Sequence, residues 1–175
     1  LTLLQADMCY YAMHTNFDVM GMGDEAAERL ALEERSVLEI TFEVELSQEG
    51  IGRVGILPEC MTLRECASYV KETFDLDTVK VFGEEDRKVR KAAVVPGAGK
   101  DYIRQAVRAG ADVYITGDIG HHDGIDALEQ GLTIIDAGHF GVEQIFVPYM
   151  KEFLSRELPS LHLLSARQQE PFWYE

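Results

Sequence analysis

The chain of 175 residues is long enough for one domain with a real core, and a hydrophobic content of 46% marks it as globular. A formal net charge of -15 excludes a surface that coats DNA or RNA, because phosphate binding runs on clustered Lys and Arg; cations and neutral small molecules are the easier partners. No apolar run of about 18 residues and no charged-then-apolar leader is present, so the expectation is a soluble, cytoplasmic protein without membrane contact.

The chain opens Leu1-Thr2-Leu3-Leu4 without an initiator Met and enters a domain already under way, so an upstream part is expected to be missing. Met8 to Met13 reads as a buried strand that delivers His14-Thr15-Asn16-Phe17-Asp18 at its end. That cluster suits ligands, and equally a turn that caps the next helix. Asp24 to Arg35 is helix-forming, with Ala26, Ala27 and Leu30 on one side. Val37 to Leu46 alternates, placing Leu38, Ile40, Phe42, Val44 and Leu46 on one face, as in a half-solvated strand. The glycines of Gly50-Ile51-Gly52-Arg53-Val54-Gly55 lack a strand-to-helix context, so a bulged or closely packed strand is expected, with Arg53 structural or facing a ligand.

Thr62 and Glu65 form a capping box for a helix carrying Leu63, Cys66, Ala67, Val70 and Phe74. Thr78–Phe82 and Arg90–Val95 read as strands. Pro96-Gly97-Ala98-Gly99 leads into a helix over Lys100–Ala109, either as a tight turn or as an anion-binding loop. Cys9, Cys60 and Cys66 are odd in number and lack C-x-x-C spacing, which fits reduced thiols in packing roles.

Four of the five histidines fall between positions 14 and 139, three of them in the stretch from Ala111 to Glu143, around which the chain is organised. Asp112–Thr116 is a β-rich run stopping at Gly117, and Leu132–Ile135 is another, stopping at Asp136-Ala137-Gly138, with an amphipathic helix between. Parallel strands in such a unit bind ligands at their carboxyl ends. Asp118, His121, His122 and Asp123 on one loop, and Asp136, His139 and Glu143 on the other, would emerge at the same edge. His139 and Glu143, spaced H-x-x-x-E, lie one helical turn apart and can converge on zinc, manganese or iron, although the same spacing is common on solvated helix faces. A long apolar helix is then expected towards Leu158, interrupted by Pro148, followed by a last strand over Leu161–Leu164. The tail from Arg167 has no assignment. Alternating strands and helices make the chain α/β, and the lack of a G-x-S-x-G elbow or P-loop removes the common nucleophile and nucleotide readings.

The ordered motifs His14-Thr15-Asn16-Phe17-Asp18, Gly50–Gly55, Tyr114-Ile115-Thr116-Gly117-Asp118 with His121-His122-Asp123, and Asp136-Ala137-Gly138-His139-Phe140 with Glu143 resemble those of the GTP cyclohydrolase I type 2 homologues, also called YbgI-like or NIF-three-like proteins. The resemblance covers nearly the whole chain. It implies an α/β fold of two similar interlocked halves, with residues 1–175 a single domain forming the C-terminal two thirds. It also implies a ring-shaped homo-oligomer, usually a hexamer, with two divalent metal ions in each subunit. Three of the family's five ligands map onto Asp18, His139 and Glu143; the other two, an upstream histidine pair, have no counterpart in this sequence. His121 and His122 match a motif beside the site, and His14 resembles a near-site residue. Departures are Val95-Pro96-Gly97-Ala98-Gly99 in place of C-G-G-S-G, and Gly21-Met22-Gly23-Asp24 in place of G-V-N-D.

The function so implied is a metal-dependent hydrolase of unknown small-molecule substrate. In it, ions about 3.5 to 4 Å apart activate water against a phosphate ester or ring carbon. His121, His122 or His14 would move protons. The alternatives are a metal-stabilised scaffold that recruits regulatory partners, and an α/β domain with a degenerate site.

Overall fold

The computed structural model describes residues 2–44, 47–170 and 172–173. A six-stranded mixed sheet runs in the order β1-β2-β4-β5-β6-β3. Its strands are β1 (Glu33–Val44), β2 (Ser47–Thr62), β3 (Lys80–Phe82), β4 (Lys88–Ala98), β5 (Val113–Gly117) and β6 (Thr133–Asp136). β1, β2 and β4 pair antiparallel, β4, β5 and β6 pair parallel, and β3 closes the far edge antiparallel to β6.

After two short helices, α1 (Thr2–Gln5) and α2 (Thr15–Phe17), the remaining helices cover both faces of the sheet. On one, α3 (Gly23–Arg29), α4 (Leu63–Phe74) and α7 (His139–Glu143) bury Ala26, Leu63, Val70, Phe74 and Val142 against Val113, Ile115 and Ile135, and α8 (Phe146–Glu157) packs the half-buried Phe146 on them. On the other, α5 (Ile103–Arg108) and α6 (His121–Glu129) bury Ile103, Ala106 and Ala127 against Tyr114 and Ile134. Every residue of β5 and β6 is therefore buried, which is why these strands read as continuous apolar runs without alternation. The Thr62–Glu65 capping box starts α4 as expected: Glu65 N–H donates to Thr62 Oγ1 at 3.2 Å, and Thr62 N–H donates to Glu65 Oε2 at 2.7 Å.

Several expectations are corrected. Met8–Met13 is not a buried strand: residues 8–14 have no regular structure, and Met8, Tyr10 and Tyr11 are exposed with no described strand beside them. The helix expected over Asp24–Arg35 ends at Arg29, because the chain reverses through Ala31, at φ 47°, to bury Leu30 and Leu32 before β1 begins. The alternation of Val37–Leu46 does form a strand. Yet Ile40 and Phe42 stay exposed, because β1 lies at the sheet edge and the helices that cover the sheet leave that part of it open; Glu45 and Leu46 lie outside the described residues. Pro96–Gly97–Ala98 belongs to β4 and is not a loop. The expected interruption near Pro148 lies at Gln144–Ile145, between α7 and α8. Pro148 has no N–H for the Gln144 carbonyl, and it sits in the first turn of α8, where none is needed. Leu161–Leu164 is not a strand, and Leu164 is exposed.

Candidate metal centre

The three parallel strands end side by side. Ala98 at the end of β4 is in register with Gly117 of β5, and Ala137 N–H, just past β6, donates to Thr116 O at 2.7 Å. Their carboxyl ends are where an α/β sheet opens a crevice, and both histidine-bearing loops leave from this edge, as the sequence suggests. The loops touch at backbone level. A Cβ on Gly117 would stand 2.5 Å from His139 N, so only glycine lets the turn after β6 approach this closely. Asp118 then takes a left-handed φ of 59°, tolerated better by Asp than by most residues. Its carboxylate reaches across to His139, whose Nδ1 lies 2.9 Å from Asp118 Oδ2.

The other ring nitrogen, His139 Nε2, lies 3.2 Å from Glu143 Oε2, one turn along α7. Gly97 supplies the floor: a Cβ there would lie 2.4 Å from Glu143 Oε1 and 3.6 Å from His139 Nε2. Asp18 stands at the start of a π-helical turn, Asp18–Met22, that joins α2 (Thr15–Phe17) to α3. Such turns re-aim side chains at functional sites. His14 Nδ1 stands 4.0 Å from Asp18 Oδ2. A cavity of about 210 Å³ is lined by His14, Asp18 and Glu143 together with an apolar wall that includes Phe17, Phe140 and Phe146.

The electrostatics agree with this geometry. Burial raises the Asp18 carboxyl above its ordinary value, against the opposing pull of His14 and His139. For His139, burial disfavours the charged ring, but the Asp118 hydrogen bond and the charges of Glu143 and Asp118 outweigh it and raise the pKa above 6.5. The protonated ring donates towards a carboxylate at each nitrogen. Nε2 and Glu143 Oε2, 3.2 Å apart, are two donor atoms that one cation could share in place of that proton.

The structure thus brings together Asp18, His139, Glu143 and His14 of the expected residues. It does not join His121 and His122 to them. These open α6, exposed, with rings 5.4 Å apart edge to face, and no described hydrogen bond or ion pair links either to Asp18, His139 or Glu143. Among the described residues no three His, Cys, Asp or Glu side chains close around a single point. The donors nonetheless fit a divalent ion as an open face: one imidazole nitrogen, one carboxylate beside it, a second carboxylate, Asp18, on the same cavity as Glu143, and a Gly97 cradle with no room for a side chain. The Asp118–His139 bond has the form of the carboxylate support that histidines take when they ligate a metal. Sequence reasoning placed Asp118 on the right loop but gave it no role, and missed Gly97 and Gly117. The signal for Gly117 was a glycine closing an otherwise apolar strand.

Fold and site together define an α/β protein with a His- and carboxylate-lined crevice at the carboxyl ends of three parallel strands. The family model for Duf34/NIF3 (NGG1p interacting factor 3) matches residues 1–171, and the chain belongs to that family. It is 34% identical over 182 residues to the GTP cyclohydrolase 1 type 2 homolog of Clostridium acetobutylicum, covering 100% of this chain and 68% of that protein. To the same-named protein of Streptococcus pneumoniae it is 37% identical over 163 residues, covering 89% of this chain and only 59% of that one. The crystal structure of a Bacillus cereus protein related to NIF3 superposes with a TM-score of 0.86 at 24% identity, over 98% of this chain and 75% of that one, a likeness of fold.

Proposed function

We propose that this chain carries part of a centre for two divalent ions (zinc, manganese or iron), held by Asp18, His139 and Glu143, and that the assembled protein is a metal-dependent hydrolase. The observation that carries the reading is His139, gripped at Nδ1 by Asp118 and facing Glu143 with Nε2, over a glycine floor that leaves room for nothing larger. The resemblance to the family adds two histidines that this sequence does not match, and a homohexameric ring. When bound, such ions supply Lewis acidity and lower the pKa of water towards neutrality.

The chain's own residues do the rest. Asp118 holds the His139 ring so that Nε2 points into the crevice. Phe17, Phe140 and Phe146 exclude water from one wall of the cavity. His14, exposed beside Asp18, is placed to pass a proton between the crevice and solvent. His121 and His122 open α6, at the same sheet edge, and in this reading meet a substrate that extends beyond the cavity. The name of the relatives refers to GTP, and the substrate class of this reading is a nucleotide or another phosphate ester.

One observation favours the scaffold reading instead: the donor set of the described residues is open. The test is turnover of a panel of phosphate esters and nucleotides by metal-loaded, assembled protein before and after chelation. A hydrolase loses turnover while its assembly persists. A scaffold shows no turnover and either falls apart on chelation or is indifferent to it.

A further inference from the structure

Asp136 closes β6 with its side chain only 6% exposed, and both of its oxygens are engaged. Oδ1 accepts from Gly138 N–H at 3.1 Å. Oδ2 accepts from Ile119 N–H at 3.0 Å and from Lys80 Nζ at 2.8 Å. Lys80, the residue opposite Asp136 in the β3–β6 pairing, also donates to Ile119 O at 2.7 Å, and its ammonium lies 5.5 Å from the centre of the Phe82 ring.

These bonds fall at two particular places in the chain. Ile119 directly follows Asp118, and Gly138 directly precedes His139. One carboxylate therefore grips the backbone immediately beside each partner of the Asp118–His139 bond. The first place needs restraint, whereas Gly138 takes a positive φ without penalty. Asp118 and Gly138 hold left-handed φ values of 59° and 75°, and no described side-chain hydrogen bond other than that to His139 anchors Asp118. A left-handed non-glycine residue relaxes unless its surroundings hold it. The Lys80 bonds to Asp136 Oδ2 and to Ile119 O complete a closed ring of contacts around the first of the two backbone segments.

We propose that Asp136, held in place by Lys80, is a positioning residue: by fixing the backbone at Ile119 and Gly138 it sets the Asp118–His139 hydrogen bond, and so which His139 nitrogen is free to face Glu143 and a divalent ion. The metal half of this statement rests on the function proposed above; the imidazole half does not.

Asp136→Asn preserves size but leaves a single acceptor oxygen. It can serve Ile119 N–H or Gly138 N–H and not both, and its NH2 then opposes another donor. The first readout is the 15N spectrum of the His139 imidazole in metal-free protein, at a pH where the ring is neutral. The expected result is the Nδ1–H tautomer in the parent, and a mixture in Asp136→Asn and Asp118→Asn. The second readout is zinc affinity by titration. Asp136→Asn should weaken it by about 10- to 100-fold, the range for loss of an outer-shell partner. Adding Asp136→Asn to Asp118→Asn should then cost less than about twofold more, because both act through one bond.

An unchanged tautomer in folded Asp136→Asn, or losses that add in the double variant, would overturn the proposal. If Asp136→Asn does not fold, Lys80→Met decides: it keeps the Asp136 carboxylate, and should shift the tautomer in the same direction, whereas an unshifted ring overturns the proposal. Failure of the metal reading looks different. The parent would take up no zinc, while the tautomer comparison would still answer.

Discussion

The Glu143 carboxylate fills the space that a side chain on Gly97 would need: a Cβ there would come within 2.4 Å of Glu143 Oε1. Gly97 also holds a φ of 80°, which an L side chain adopts only under strain. Gly97→Ala is therefore expected to destabilise the fold by about 1–3 kcal/mol and to push Glu143 off His139. If Glu143 touches the ion as proposed, metal affinity should fall by more than about tenfold, since even the loss of a group that only supports a ligand costs that much. Chemical denaturation and zinc titration of the variant check both halves.

The raised pKa of His139 predicts how metal binding depends on pH. An ion must displace the proton that Nε2 holds towards Glu143, so affinity falls as pH drops through the metal-free pKa. Because the Asp118 bond and the Glu143 charge lift that pKa, the fall begins above 6.5. Protonation of Asp18, whose pKa burial also raises, adds a second loss at lower pH. Replacing Asp118 with Asn should move the first loss to lower pH. Zinc affinities measured across pH 5 to 9 would show it, and a profile that Asp118→Asn leaves in place would contradict the assignment.

Arg53 ties the Asp18-bearing helical segment to β2. Its side chain, 5% exposed, donates to Asp24 Oδ1 and Oδ2 at 2.6 and 2.7 Å and to the carbonyls of Gly50 and Gly52. Asp24→Ala leaves a buried guanidinium with only those carbonyls and Glu49, at 3.7 Å, for company. The expected cost is about 2 kcal/mol, below that of a fully buried pair because the Asp24 side chain is 52% exposed. Urea denaturation measures it, and a change below 0.5 kcal/mol, the size of an exposed pair's contribution, would show the bridge to be ornamental.

Thiol chemistry gives a check on the core. Cys66 is buried in α4 and its thiol is pushed up to about 12, whereas Cys9 and Cys60 are exposed. A maleimide should label Cys9 and Cys60 in the native protein, and Cys66 only in denaturant. Rapid native labelling at Cys66 would mean that α4 does not pack as described.

The sequence was legible where one local rule decided the outcome. The capping box at Thr62 and Glu65, the two apolar strands flanking His121, and the His139–Glu143 spacing all depend on neighbours within a few residues. It was illegible where tertiary context decided. Met8–Met13 has strand composition but, among the described residues, no strand to pair with. Ile40 and Phe42 alternate as a buried face would, yet lie on an open edge strand. Asp118 and Gly97 gained their roles only when three strands ended side by side, a juxtaposition that no spacing within one segment encodes.

The measurement that tests the central claim most directly is metal content per subunit, by elemental analysis of mass-verified protein, beside Asp18→Ala and His139→Ala. The account predicts close to two divalent ions per subunit of the assembled parent, lost in both variants while their circular dichroism stays that of the parent. A folded, assembled parent that holds no metal, or variants that retain the parent's full complement, would contradict it.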